Sequence, residues 1–128
     1  LYLLSAPEGN APNVLPAPAL DREVVRVLGK TRRYMEDHLA DPLTIPALSR
    51  MAMLSATTFK DAFRRLYGLP VHAWLRQRRM ERAAELLRDS SLSVLGVAQS
   101  VGYGSASQFT AAFRRQYGMT PAKYRKDV

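Results

Sequence analysis

From Asp21 onward the apolar residues recur at helical spacing, and no stretch alternates apolar and polar residues as a half-buried strand would. Val24, Val25, Leu28, Met35 and Leu39 form one stripe, which predicts a helix over about 22–39. Asp41-Pro42 stops it, because the residue before a proline is pushed out of helical geometry. Thr44 can cap a short helix running to about Met51. Ala52-Met53-Leu54-Ser55 then reads as a tight turn, with Ser55 the N-cap of the next helix. That helix carries Phe59, Ala62, Phe63, Leu66 and Tyr67 on a single face and ends at Gly68, where a left-handed cap is wanted. Short helix, tight turn and second helix ending in glycine make a helix-turn-helix.

The pattern then occurs again. Phe59 to Gly68 and Phe109 to Gly118 are identical at seven of ten positions. Upstream, Leu43–Ser55 pairs with Leu92–Gly104; downstream, Trp74 pairs with Tyr124. In the second copy Ser93 caps a helix to Ser100, and Val101-Gly102-Tyr103-Gly104 is the turn, with Gly102 free to take a positive φ. A helix over about 105–117 buries Phe109, Ala112, Phe113 and Tyr117, and Thr120-Pro121 opens a last short helix. A unit of about 50 residues used twice implies two copies of one supersecondary structure, too few for a solenoid.

Between the copies, residues 71–88 predict a long amphipathic helix. Leu75, Met80, Ala83, Ala84, Leu86 and Leu87 fall in one broad arc, and Gln77, Arg78, Glu81, Arg82, Glu85 and Arg88 in the other. Arg79 lies inside the apolar arc, so it should be hydrogen-bonded and serve as a tie between the two lobes. Residues 1–20 hold four prolines, a glycine and two asparagines, and read as a linker or the tail of an upstream domain. The remainder, 21–128, divides into a first lobe over about 22–69, the linker helix over about 71–88 and a second lobe over about 92–126.

Composition narrows the function. The chain has 128 residues, 47% of them hydrophobic and 23% charged, which is a globular balance and not a disordered one. No apolar run approaches the roughly 20 residues of a membrane span. There are no cysteines, which excludes disulfides and thiolate metal sites and permits a reduced cytoplasm, the compartment expected for the chain, without indicating it. The net charge is +8, and residues 22–128, with nineteen bases against nine acids, carry +10. Fifteen of the bases are arginines, suited to paired hydrogen bonds with phosphate and guanine. Such a domain is drawn to polyanions.

Counting 100° per residue places Thr57, Lys60, Asp61 and Arg64 opposite the buried face of the first long helix, flanked by Thr58 and Arg65. The equivalent positions of the second are Ser107, Thr110, Ala111 and Arg114, flanked by Gln108 and Arg115. Hydroxyls, Lys, Arg and Gln can read base edges, and Ala111 can touch a thymine methyl. Asp61 either accepts from cytosine or orients Arg64 and Arg65. The candidate base contacts are therefore Thr57, Lys60, Asp61, Arg64, Ser107, Gln108, Thr110, Ala111 and Arg114. Thr44, Thr58, Arg65, Arg78, Arg82 and Arg115 are candidate phosphate contacts, with exposed pairing to Glu81 and Glu85 the alternative for Arg78 and Arg82.

The stretch from Leu43 to Arg125 resembles the DNA-binding domain of the AraC/XylS family of bacterial transcription regulators. The resemblance is carried by Val97-Ala98, Val101-Gly102-Tyr103, Gln108-Phe109, Phe113-Arg114-Arg115, Tyr117-Gly118 and Thr120-Pro121-Ala122-Lys123-Tyr124-Arg125. It implies an all-α domain of seven helices, with recognition helices at 56–67 and 106–117 entering successive major grooves of double-stranded DNA. It also implies a transcription activator that contacts RNA polymerase, with an effector-binding or dimerisation domain upstream. By position it points to Thr57, Lys60, Asp61, Ser107, Gln108 and Ala111 as base readers. Two departures set the first copy apart: Met53 stands where the second has Gly102, and Pro70 where it has Thr120.

An enzyme is not expected, nor a metal or cofactor. His38 and His72 are the only histidines, lie on different predicted helices and lack neighbouring acids at ligand spacing. The competing readings are an RNA-binding module, which would expose aromatics for base stacking, and a degenerate helical domain that bridges proteins.

Overall fold

The computed structural model describes residues 20–128 and contains seven α-helices, with no strand among the described residues. They are α1 (Arg22–Asp37), α2 (Ile45–Met51), α3 (Ala56–Tyr67), α4 (Val71–Asp89), α5 (Val94–Ser100), α6 (Ala106–Tyr117) and α7 (Pro121–Asp127). The seven-helix, two-unit architecture is the expected one. The linker read over residues 1–20 lies, apart from Leu20, outside the described residues.

Local chemistry sets most helix ends. Six of the seven helices start on a side-chain oxygen that accepts from an otherwise unpaired amide in the first turn: Asp21, Thr44, Ser55, Ser93, Ser105 and Thr120. The seventh, α4, starts on Pro70, which has no such oxygen. α3 and α6 both end on a left-handed glycine, Gly68 and Gly118. α1 stops at Asp37, short of the expected Leu39. His38 leaves helical geometry (φ −132°), stacks its ring on Tyr34 and donates from Nδ1 to the Tyr34 carbonyl at 2.8 Å. The helix therefore ends on a local ring contact before Asp41-Pro42 is reached.

The repeat is visible in the packing. Phe59, Phe63, Phe109 and Phe113 are fully buried. Phe63 meets Trp74 edge-on at 5.6 Å, and Phe113 meets Tyr124 edge-on at 5.3 Å. Phe63 to Tyr67 is 4.8 Å and Phe113 to Tyr117 is 4.7 Å. Thus the start of α4 closes the first unit as α7 closes the second. Leu28, Met35 and Leu48 complete the first core; Met80, Leu87, Val97 and Val101 complete the second.

α4 belongs to both cores, but not through one arc. Val71, Trp74 and Leu75 enter the first core, while Met80, Ala83, Ala84 and Leu87 enter the second. At 3.6 residues per turn these two sets point about 180° apart and are centred roughly 15 Å apart along the axis. The lobes therefore grip opposite sides of α4 in succession, and the single broad apolar arc expected from the sequence is corrected to two. Arg79 falls at the seam between them. Its Nε donates to the Leu39 carbonyl and a terminal nitrogen to the Asp41 carbonyl, both at 2.9 Å. The side chain is thus hydrogen-bonded, as its position requires, and its partial burial lowers its pKa from the usual arginine value.

The second unit is also locked to the end of α4. Arg125 donates to the Leu87 carbonyl at 2.9 Å and to the Ser90 carbonyl at 3.3 Å, and Arg88 to the Tyr124 hydroxyl at 2.8 Å.

Candidate nucleic-acid interface

α3 and α6 are positioned alike because their buried faces are alike. Each follows a turn in which the amide two residues past the preceding helix's cap returns to a carbonyl five residues back. Leu54 donates to Ser49 at 3.0 Å, and Tyr103 to Ala98 at 2.9 Å. The residue before each donor is left-handed: Met53 at φ 58° and Gly102 at φ 91°. The same hydrogen-bonded reversal thus leads into both long helices, with one more residue between the left-handed position and the N-cap in the second unit.

On α3, Thr57, Lys60 and Arg64 are exposed, and Asp61 is partly covered. With Ile45, Pro70, Val71 and His72 they line a shallow depression between α3 and the starts of α2 and α4. Ile45 and His72 are not among the interface residues expected from the sequence. Asp61 lies 3.5 Å from Arg65 and 3.9 Å from Arg64. Its Oδ2 is buried and takes no hydrogen bond, so charge pairing alone compensates it. This geometry suits a carboxylate that orients two arginines better than one that meets cytosine. Thr58 is half-covered, and its amide caps onto Ser55.

On α6, Ser107, Gln108, Ala111, Arg114 and Arg115 are exposed and Thr110 is half-covered. Ala106, Ser107, Thr110, Ala111, Arg114 and Arg115 line one open depression. No acid stands on this helix, and neither Arg114 nor Arg115 forms an ion pair among the described residues.

The remaining candidates also have partners within the domain. Thr44 accepts from the Ala47 amide at 3.3 Å as the cap of α2. Arg78 pairs with Glu81 at 2.7 Å and with Glu36 of α1 at 3.5 Å, and Arg82 pairs with Glu85 at 2.9 Å. The exposed-pairing alternative is therefore the one the structure displays for both arginines. The four phenylalanines, which a base-stacking surface would need outside, fill the cores. Among the described residues no group of three or more His, Asp or Glu side chains is placed to hold a metal ion, and no helix is long and apolar enough to cross a membrane.

Known proteins share this arrangement. A family described as "Helix-turn-helix domain" matches residues 48–127. The chain is 34% identical over 101 residues to the HTH-type transcriptional regulator ExsA of Pseudomonas aeruginosa, covering 79% of this chain and 36% of that protein. It is 31% identical over 96 residues to the virulence regulon transcriptional activator VirF of Yersinia enterocolitica, covering 75% and 35%. The chain spans about a third of the length of the curated relatives it matches. Among solved structures, the DNA-binding domain of AdpA, a global transcriptional factor crystallised with a target DNA, superposes with a TM-score of 0.76. It is 34% identical and covers 78% of this chain and 90% of that one. The C-terminal domain of AraT, a response regulator from Geobacillus stearothermophilus, also gives 0.76, at 27% identity and 80% and 85% coverage. In sequence, in its paired helix-turn-helix units and in fold, the chain belongs to the AraC/XylS family and carries that family's DNA-binding domain.

Proposed function

We propose that this domain binds double-stranded DNA sequence-specifically, with α3 and α6 in successive major grooves along one face, about 34 Å apart. The observation that carries it is the pair of equivalent helices, each presenting hydroxyls and arginines outward from a matched core and each fixed to the same helix α4. Thr57, Lys60 and Arg64 read one half-site; Ser107, Gln108, Thr110, Ala111 and Arg114 read the other. Arg115 and Arg65 face the flanking phosphates, and Asp61 holds the α3 arginines in place.

The domain is the output half of a bacterial transcription regulator working in the cytoplasm. Relatives named as activators favour activation, with RNA polymerase the partner at the promoter. Those relatives are about three times as long as the matched region, which leaves room for an effector-binding or dimerisation domain in the longer protein.

Gel shifts on a duplex selected from a random pool test the assignment. Lys60→Ala and Arg114→Ala should each weaken binding by about 5- to 150-fold and relax preference at different base pairs, since one good base contact is worth about 1–3 kcal/mol. Unchanged affinity and preference in both would refute the groove assignment.

A further inference from the structure

The two lobes meet at a second place besides their shared helix. Every extensive helix–helix contact joins helices of one lobe or joins a lobe to α4. A rod gripped on opposite sides at two levels leaves each lobe free to rock about its own grip. At Arg79 that freedom is removed. Its guanidinium donates to the Leu39 and Asp41 carbonyls, in the loop that leads into α2 and hence into the first helix-turn-helix. Beside it lies Gly102, in the turn that leads into α6. A Cβ added to Gly102 would stand 2.8 Å from the Leu39 carbonyl oxygen and 3.2 Å from the Arg79 guanidinium. The second lobe's turn is thus seated on the first lobe's loop, with Arg79 against both and no room for a methyl group.

We infer that this Arg79–Leu39–Gly102 junction is the gauge that sets the distance and rotation between α3 and α6, making Arg79 a positioning residue for the half-site spacing the domain accepts. The inference rests on the reading that both helices enter one duplex. The chemistry suits the task. Carbonyl acceptors on the main chain move with the backbone, so a guanidinium bridging two of them holds the loop itself. The contact point lies at the root of both recognition helices, so a small displacement there is carried along each helix to the DNA. Adding one base pair between half-sites turns the second groove by about 36° around the axis, given about 10–10.5 base pairs per turn, and a gauged protein cannot follow it.

Two glycines separate this contact from ordinary backbone strain. Gly102 and Gly118 both have positive φ, 91° and 76°, but a Cβ on Gly118 meets nothing within 4 Å. Gly102→Ala therefore adds a clash at the junction, and Gly118→Ala adds strain alone.

The test is the affinity of each variant for a duplex series in which the two selected half-sites are moved apart or together one base pair at a time. The wild type should prefer one spacing by about tenfold or more over its neighbours, the scale of a lost base-pair contact. Arg79→Met, which keeps the apolar stem and removes the donors, should flatten that preference to about twofold. Arg79→Lys, able to reach one carbonyl, should fall between and covers the case of a Met variant that does not fold. Gly102→Ala should flatten or shift the optimum; Gly118→Ala should leave the profile in place. A wild-type spacing profile retained in Arg79→Met or, should that not fold, in Arg79→Lys overturns the inference, as does equal flattening by the two glycine variants. A wild type indifferent to spacing, or binding one half-site as well as two, overturns the two-groove reading itself.

Discussion

The turns of the two helix-turn-helix units have the same hydrogen bonds and the same left-handed residue, yet one uses Met53 and the other Gly102. Met53 is 89% exposed, so its side chain extends into open space. Gly102 has the Leu39 carbonyl directly above it. A left-handed residue at this point does not by itself demand glycine, since the first unit places Met53 there at φ 58° at a cost of about 1–2 kcal/mol, whereas Gly102 at φ 91° lies beyond the range side chains adopt readily. The neighbour adds to that demand for glycine at 102. The first turn is peripheral; the second is built into the contact between lobes. The outer faces differ in the same spirit. α3 carries an acid that ties down its arginines, whereas α6 carries none.

The most severe test of the likeness between the units is their aromatic centre. Phe63→Ala and Phe113→Ala should each lower stability by about 3–5 kcal/mol in chemical denaturation. A value under about 1 kcal/mol for either would show that the two cores are not equivalent. The turns come next. Gly102→Ala should destabilise by more than the about 1–2 kcal/mol of left-handed strain that Gly118→Ala incurs, while Met53→Gly should stabilise by up to about 1 kcal/mol. If Met53→Gly destabilised as much as Gly102→Ala, the distinction between a peripheral and a wedged turn would fail. Caps give a smaller effect of opposite sign in the two units. Thr120→Ala should remove about 1 kcal/mol, and Pro70→Ser, supplying the oxygen α4 lacks, should add somewhat less. Thermal melts of the pair decide it. Asp61→Ala should matter least for stability, less than about 1 kcal/mol for a partly exposed ion pair. It should nevertheless raise affinity for unrelated duplex at low salt by removing a negative charge from the α3 face and its attraction for Arg64, and unchanged low-salt binding would argue that α3 does not face the phosphates.

Much of this was legible beforehand, for local reasons. The caps, the glycine ends and the paired phenylalanine faces depend on residues three or four apart, and the second copy confirms the reading of the first. The partners of Arg79 were not legible, because they are main-chain carbonyls 38 and 40 residues away. Nor was the division of α4 into two opposite faces, because the apolar residues from Leu75 to Leu87 also fit one wide arc until the position of each lobe is known. Arg78 and Arg82 illustrate a third limit. Their glutamate neighbours at helical spacing were in view, but only the fold brings Glu36 of α1 to Arg78 and completes that cluster. At the interface, the exposed faces of α3 and α6 followed from helical periodicity, whereas Ile45 and His72 join the α3 depression only through tertiary packing.

The central claim is that two unequal units read two half-sites on one face of the duplex. A base-pair substitution scan of a selected duplex tests it most directly, measured with the wild type, Lys60→Ala and Arg114→Ala. The account predicts two clusters of sensitive base pairs centred about 10–10.5 base pairs apart, the first blunted by Lys60→Ala alone and the second by Arg114→Ala alone. A single cluster, or one substitution blunting both clusters equally, would contradict it.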